Sequence, residues 1–132
     1  MTQDRARQID RNLLAILDAT RDLLFEVRVP GTGDELRDAP RIQQLAFCEC
    51  VRRVGEAVAQ IDSIDEDWLT TNLPAVPWRA VKATRNRLTH QYWTIDYEIL
   101  HTIATVALRA VAVDVSAKLG VANPYDDLPE PR

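Results

Sequence analysis

The chain has 132 residues, of which 46% are hydrophobic and 27% charged, and its formal net charge is −4. These totals fit one domain with a single buried core. They exclude a disordered chain and argue against a protein that coats nucleic acid indiscriminately.

Apolar residues recur at helical spacing from one end to the other, beginning with Ile9, Leu13, Ile16, Leu17, Leu24 and Val27 in a first helix of roughly six turns. Pro30, Gly31 and Gly33 break it. Asp38 has the character of an N-cap, with Pro40 in the first turn of a second helix whose stripe is Phe47, Val51, Val54, Val58 and Ile61. The word "SIDE", Ser63 to Glu66, has capping-box spacing and predicts a short third helix ending near Asn72. Pro77 suits the first turn of a fourth helix. A fifth runs from about Asp96 to Leu119, with Ile99, Ile103, Val106, Ala110 and Val113 on one face, and Gly120 stops it. Strand alternation is lacking, so the expected fold is all-α, an antiparallel up-and-down bundle of four to five helices. Residues 1–120 form the expected domain, and residues 121–132 an acidic, proline-containing tail expected to be mobile.

No apolar run approaches the roughly 18 residues of a membrane span. The polar start "MTQDRARQIDRNLL" lacks a signal-peptide core, and a cytoplasmic location is expected. Cys48 and Cys50, two apart on a helix, point about 200° from each other, which argues against a disulfide. The sequence offers no zinc-like ligand set, so neither a metal nor a cofactor is expected.

Charge is unevenly spread. Between Trp68 and Ile95 there is no Asp or Glu, while Arg79, Lys82, Arg85 and Arg87 are basic. Such a patch on an acidic body suits a small or transient anionic target, or it is a solvated face. On a helical wheel Trp78, Val81, Leu88 and Tyr92 share a sector of about 80°, and Arg85 falls inside it. A guanidinium keeps its charge, so on a core-facing stripe it needs an anion or a polar cleft. Either Arg85 sits in a structural ion pair, with Glu56 or Asp96 as candidates, or it waits for an oxyanion such as phosphate. His90 lies about 140° around the helix and about 7.5 Å further along from Arg85, so the two converge only near the helix end or across a symmetric interface. Asn86 is four positions before His90 and on its face. Arginine, asparagine and histidine together suit metal-free phosphodiester chemistry. His101 reads as an ordinary helix residue.

Arg85, Asn86, three further residues, His90, one residue and then Tyr92 resemble the Arg–four residues–His–x–Tyr motif of the HEPN superfamily, specifically its HepT-like toxins. "VGEA" at Val54–Ala57, "VPW" at Val76–Trp78 and "YWTID" after the histidine extend the likeness from the first helix through the fifth. The resemblance implies a metal-independent endoribonuclease, the toxin of a toxin–antitoxin pair, in which an RNA 2′-hydroxyl attacks the adjacent phosphorus. It implies His90 as the proton carrier, Arg85 as stabiliser of phosphoryl charge and Asn86 as the residue that orients the histidine or a phosphate. Arg79, Lys82 and Arg87 are the accompanying RNA-binding candidates. It further implies a homodimer in which two motifs face one another. The implied antitoxin is a minimal nucleotidyltransferase that transfers AMP to Tyr92. A different class of function, a non-catalytic helical module that docks a nucleotidyltransferase or binds nucleotide, uses the same patch and the same tyrosine.

Overall fold

The computed structural model describes residues 1–90 and 95–128, excluding the side chains of Thr89 and His90. Its elements are α1 (Gln3–Asp22), continued by a π-helical turn at Leu23–Val27, then α2 (Gly33–Arg37), α3 (Arg41–Ile64), α4 (Trp68–Asn72) and α5 (Trp78–His90). They are followed by α6 (Tyr97–Thr102), a π-helical turn at Ile103–Ala107, α7 (Leu108–Leu119) and a 3₁₀ turn at Pro124–Asp127. The expected all-α bundle is observed, and the described residues contain no strand.

Three cross-helix pairings set the direction of α1 against α3. Asn12 shares a recess with Gln60, Asp22 accepts an ion pair from Arg53 at 2.7 Å, and the Val27 carbonyl accepts from Gln43 at 3.2 Å. As one number rises the other falls, so the two helices are antiparallel. The same holds for α5 on α3, where Lys82 meets Asp62, Arg85 meets Glu56, and Leu88 shares a recess with Leu45 and Cys48. Helix α7 packs on α1, and α6 on α2.

The core is the sum of the apolar stripes. Ile9, Leu13 and Ile16 of α1 meet Phe47, Val54, Val58 and Ile61 of α3, and all are essentially buried. Each such side chain contributes about 1.5–3 kcal/mol through removal from water. Trp78, Val81 and Leu88 of α5 are buried as the wheel predicts. Trp78 also donates its indole N–H to the Leu73 carbonyl at 2.9 Å, which fixes the turn ahead of α5.

Several boundaries differ from the sequence expectation. Asp38 does not cap α3; it closes α2, its N–H bonding the Asp34 carbonyl, and Pro40 occupies the N-cap position of α3. Helix α2, five residues long and capped by Thr32, is too short for periodicity to reveal. Ser63 opens no helix. It lies in the last turn of α3 with its hydroxyl on the Gln60 carbonyl at 2.7 Å, because the α3 stripe continues through the buried Ile61. Pro77 stands just ahead of α5, its carbonyl receiving the Val81 N–H. Gly120 does end α7, in the left-handed region at φ 67°.

Two larger differences concern the C-terminal third. Of the five residues placed on one face of the fifth helix, Ile103 is buried and Ala110 partly so, but Ile99 is 42%, Val106 61% and Val113 50% exposed. Leu100, Ala104, Ala107, Leu108, Val111 and Val115 form the core face instead. The stretch Tyr97–Leu119 is apolar enough on both sides to meet the length and composition of a membrane span, and half of it is buried inside the bundle, as in a core helix. The segment after Gly120 was expected to be mobile, yet its first part is docked. Tyr125 is buried, donates to the Ala104 carbonyl at 2.7 Å, and carries the Arg109 guanidinium 4.7 Å from its ring centre.

Candidate functional site

Arg85 sits in the third turn of α5, on the stripe that faces α3. Its side chain is 32% exposed, which puts it on the rim of the core and not inside it. Gly55 explains how it fits. A methyl group added there would collide with Arg85 Cβ and Cγ and come within 3.3 Å of Arg85 Cα. The Gly55 backbone therefore lies directly against the root of the Arg85 side chain, and any side chain at position 55 would push the two helices apart.

The guanidinium turns to the next residue of α3. Glu56 Oε1 accepts from Nε of Arg85 at 3.1 Å and lies at ion-pair distance, 3.1 Å, from Nη2. Asn86 Oδ1 accepts from Nη1 at 3.3 Å. Of the two ion-pair candidates read from the sequence, Glu56 is the one used. Asp96 instead caps α6, accepting from the Glu98 N–H at 2.9 Å. Glu56 in turn lies 3.9 Å from Arg52 Nη1, and Arg52 grips Glu49 with two bonds of 2.8 and 2.6 Å. The hydrogen bond from Arg52 lowers the Glu49 carboxyl below its ordinary value, and its counterpart raises the guanidinium. Charges thus alternate along the rim as Glu49, Arg52, Glu56 and Arg85. Open recesses of about 310 and 200 Å³ flank this row, the first lined by Arg52, Arg53 and Glu56, the second by Cys48, Glu49, Arg52 and Leu88.

The other predicted residues are distributed as follows. His90 is the last residue of α5, and its side chain is outside the described set, so its expected contact with Asn86 is too. Tyr92 lies outside the described residues altogether. Arg79 and Arg87 are exposed on α5. Lys82 is already paired with Asp62 at 2.7 Å, so two of the four cations in the basic stretch face carboxylates supplied by α3. Cys48 and Cys50 are free, as expected, and burial raises both thiols above their ordinary value.

A larger cavity of about 690 Å³ opens between the end of α1 and α7, lined by His101, Thr105, Arg109 and Tyr125. It contains no residue of the motif. His101, read as unremarkable from the sequence, ties α6 to the first loop through Nε2 and the Pro30 carbonyl at 2.7 Å. Gly55 was the residue whose purpose the sequence did not yield. The available signal was a glycine inside an otherwise regular helical pattern, which implies close backbone approach.

Comparison with known proteins completes the picture. The profile described as "Ribonuclease HepT-like" matches residues 30–117, a span that contains Gly55, Glu56, Arg85, Asn86, His90 and Tyr92. A protein of Methanocaldococcus jannaschii named "Putative RNase MJ0127" is 32% identical over 92 residues, covering 70% of this chain and 65% of that protein. The match thus spans less than two thirds of the relative's length. No solved structure matches the chain.

Proposed function

The chain belongs to the ribonuclease HepT-like family, and we propose that it is a metal-independent endoribonuclease that acts as the toxin of a toxin–antitoxin pair. The observation that carries this reading is Arg85, a permanently charged residue on a core-facing stripe, with its head group at an open rim inside the Arg–x₄–His sequence. A guanidinium with planar paired donors matches a phosphoryl group.

In the proposed reaction the RNA 2′-oxygen forms a bond to the neighbouring phosphorus while the bond to the 5′-oxygen breaks. The products are a cyclic phosphate and a 5′-hydroxyl. His90 takes the proton from the 2′-hydroxyl and returns one to the departing 5′-oxygen. Arg85 neutralises the charge that gathers on the phosphoryl oxygens, and Asn86 orients the pair. Arg79 and Arg87, exposed on the same helix, hold flanking phosphates.

The site is completed by a second copy. The exposed residues Ile99 of α6, Val106 of the π-helical turn and Val113 of α7 recur every seven residues, the spacing of a helix-to-helix seam. It suits a two-fold partner of the same chain. Neutralisation is assigned to a minimal nucleotidyltransferase that transfers AMP to Tyr92, where the added phosphate would compete for Arg85.

The test is cleavage of RNA by the purified chain in the presence of EDTA, comparing wild type with His90→Ala. Cleavage that survives the chelator and is lost in the variant supports the proposal. Cleavage that disappears with the chelator, or persists in His90→Ala, overturns it.

A further inference from the structure

We infer that Glu56 is the positioning residue for Arg85, holding one edge of its guanidinium so that phosphate is received in a single orientation. The inference rests on the ribonuclease reading above and adds a residue to it. An arginine side chain has several rotatable bonds and much rotamer freedom to lose, so one held by nothing at a rim would sample many directions. Consecutive residues of α3 prevent this in two ways. Gly55 makes room for the root of the Arg85 side chain, and one carboxylate oxygen of Glu56 accepts from Nε and lies 3.1 Å from Nη2. On the other side of the head group Nη1 donates to Asn86 Oδ1 at 3.3 Å.

Glu56 is itself steadied. Arg52, one turn earlier on α3, lies 3.9 Å from the same oxygen and is anchored by Glu49. A carboxylate between two guanidinium groups has no reason to swing into solvent. It is also a like charge to the incoming phosphate. Glu56 therefore weakens ground-state attraction of RNA to the rim while fixing the geometry of the one cation that meets the reacting phosphorus. Removing Glu56 should therefore lower kcat without raising KM, which separates positioning from simple structural support.

The experiment compares RNA cleavage by the full chain as wild type, Arg85→Ala, Glu56→Gln and Glu56→Asp. Activity in wild type and its loss in Arg85→Ala secure the underlying reading. Glu56→Gln is then expected to lower kcat by about 10-fold or more, a misplacement effect, with KM unchanged or lower. Glu56→Asp, one methylene shorter but still charged, should recover part of kcat. Wild-type kcat in Glu56→Gln, or a rise in KM alone, overturns the inference. A second measurement is independent of activity: the Arg85 Nε–H resonance, identified by its loss in Arg85→Lys, should be dispersed in wild type and merge with the solvent-exposed arginines in Glu56→Gln. If wild type cleaves nothing, the ribonuclease reading fails, and an unmoved resonance would separately refute the role of Glu56.

Discussion

Gly55 and Arg85 face each other across α3 and α5 with no room between them for a methyl group. The atoms in the way are the root of the Arg85 side chain, Cβ and Cγ, with Cα just behind them, so the far end of a flexible side chain cannot simply swing aside. Gly55→Ala is expected to destabilise the fold by about 1–3 kcal/mol, the usual cost of overpacking, despite alanine's better helix propensity. Thermal unfolding should show a loss of several degrees. A melting temperature equal to or above wild type would mean that the helices do not meet at this level.

Arg85→Ala, by contrast, should leave the fold nearly intact. Its ion pair with Glu56 is between groups 32% and 40% exposed, and solvent-screened pairs of that kind are typically worth under about 1 kcal/mol. Activity should nonetheless vanish, and Arg85→Lys should not restore it, because an ammonium loses the planar fork. Circular dichroism and cleavage assays on the same preparations decide between the two roles. An unfolded Arg85→Ala would assign the arginine to structure alone.

The exposed seam bears on assembly. Val106 and Val113 are at least half exposed and lie seven residues apart on one face. The proposed dimer should scatter light as a particle of about 30 kDa, twice the 14.9 kDa of one chain. Val106→Glu combined with Val113→Glu should convert it to monomer without loss of helix, since neither side chain contributes to the core of one chain. A wild-type monomer at micromolar concentration would remove the seam from the interface.

Helix content, the stripes of α1 and α3, the burial of Trp78, Val81 and Leu88, and the αL stop at Gly120 were all legible, because each depends on spacing or on one residue's own conformational preference. What failed had a tertiary cause. The series Ile99, Val106 and Val113 is periodic whether covered or bare, and only the packing of α7 on α1 decides which face is buried. Ser63 begins a sound capping pattern, overridden by the continuation of the α3 stripe. Tyr125 lies in a polar, proline-containing stretch and is held by Ala104 and Arg109, contacts no local pattern announces. At the site, the wheel placed Arg85 on the core stripe and nominated Glu56 among its partners, but the antiparallel register of α3 and α5 was needed to choose it. Gly55 acquires its meaning from that same register.

Tyr125 also provides a pH test. Burial pushes its phenol well above the ordinary value of about 10. A group whose folded pKa is raised keeps its proton where the unfolded chain would release it. The associated stability is fully present below about pH 10 and is lost as pH rises beyond that. Cys48 and Cys50, also raised by burial, add a loss of the same sign that begins lower, near the ordinary thiol range of about 8.5. Tyr125→Phe should cost about 1 kcal/mol at neutral pH for the bond to the Ala104 carbonyl, while flattening the decline above pH 10. An unchanged alkaline decline would place the phenol in water.

The proposed AMP acceptor, Tyr92, can be set against the two other tyrosines of the chain. Tyr125 is buried with its hydroxyl committed to the Ala104 carbonyl, and burial disfavours the phenolate that would attack a nucleotide phosphorus. The Tyr97 hydroxyl lies 3.3 Å from Gln44 Oε1, whose side-chain nitrogen also bonds the Leu36 and Arg37 carbonyls. Both described phenols are therefore engaged in holding helices together. Incubation with a nucleotidyltransferase antitoxin and ATP should add AMP to wild type and not to Tyr92→Phe, as read by intact mass. The phosphoester forms as the tyrosine oxygen displaces pyrophosphate from ATP. Tyr92→Phe should retain cleavage, assayed separately, because it removes only the accepting oxygen, and the modified wild type should lose it as the new phosphate occupies Arg85. An adduct mapped to Tyr97 or Tyr125 would require α6 or the docked 3₁₀ turn to open first, and would overturn the assignment to Tyr92. Absence of any adduct alongside restored growth would make sequestration by the partner the means of neutralisation.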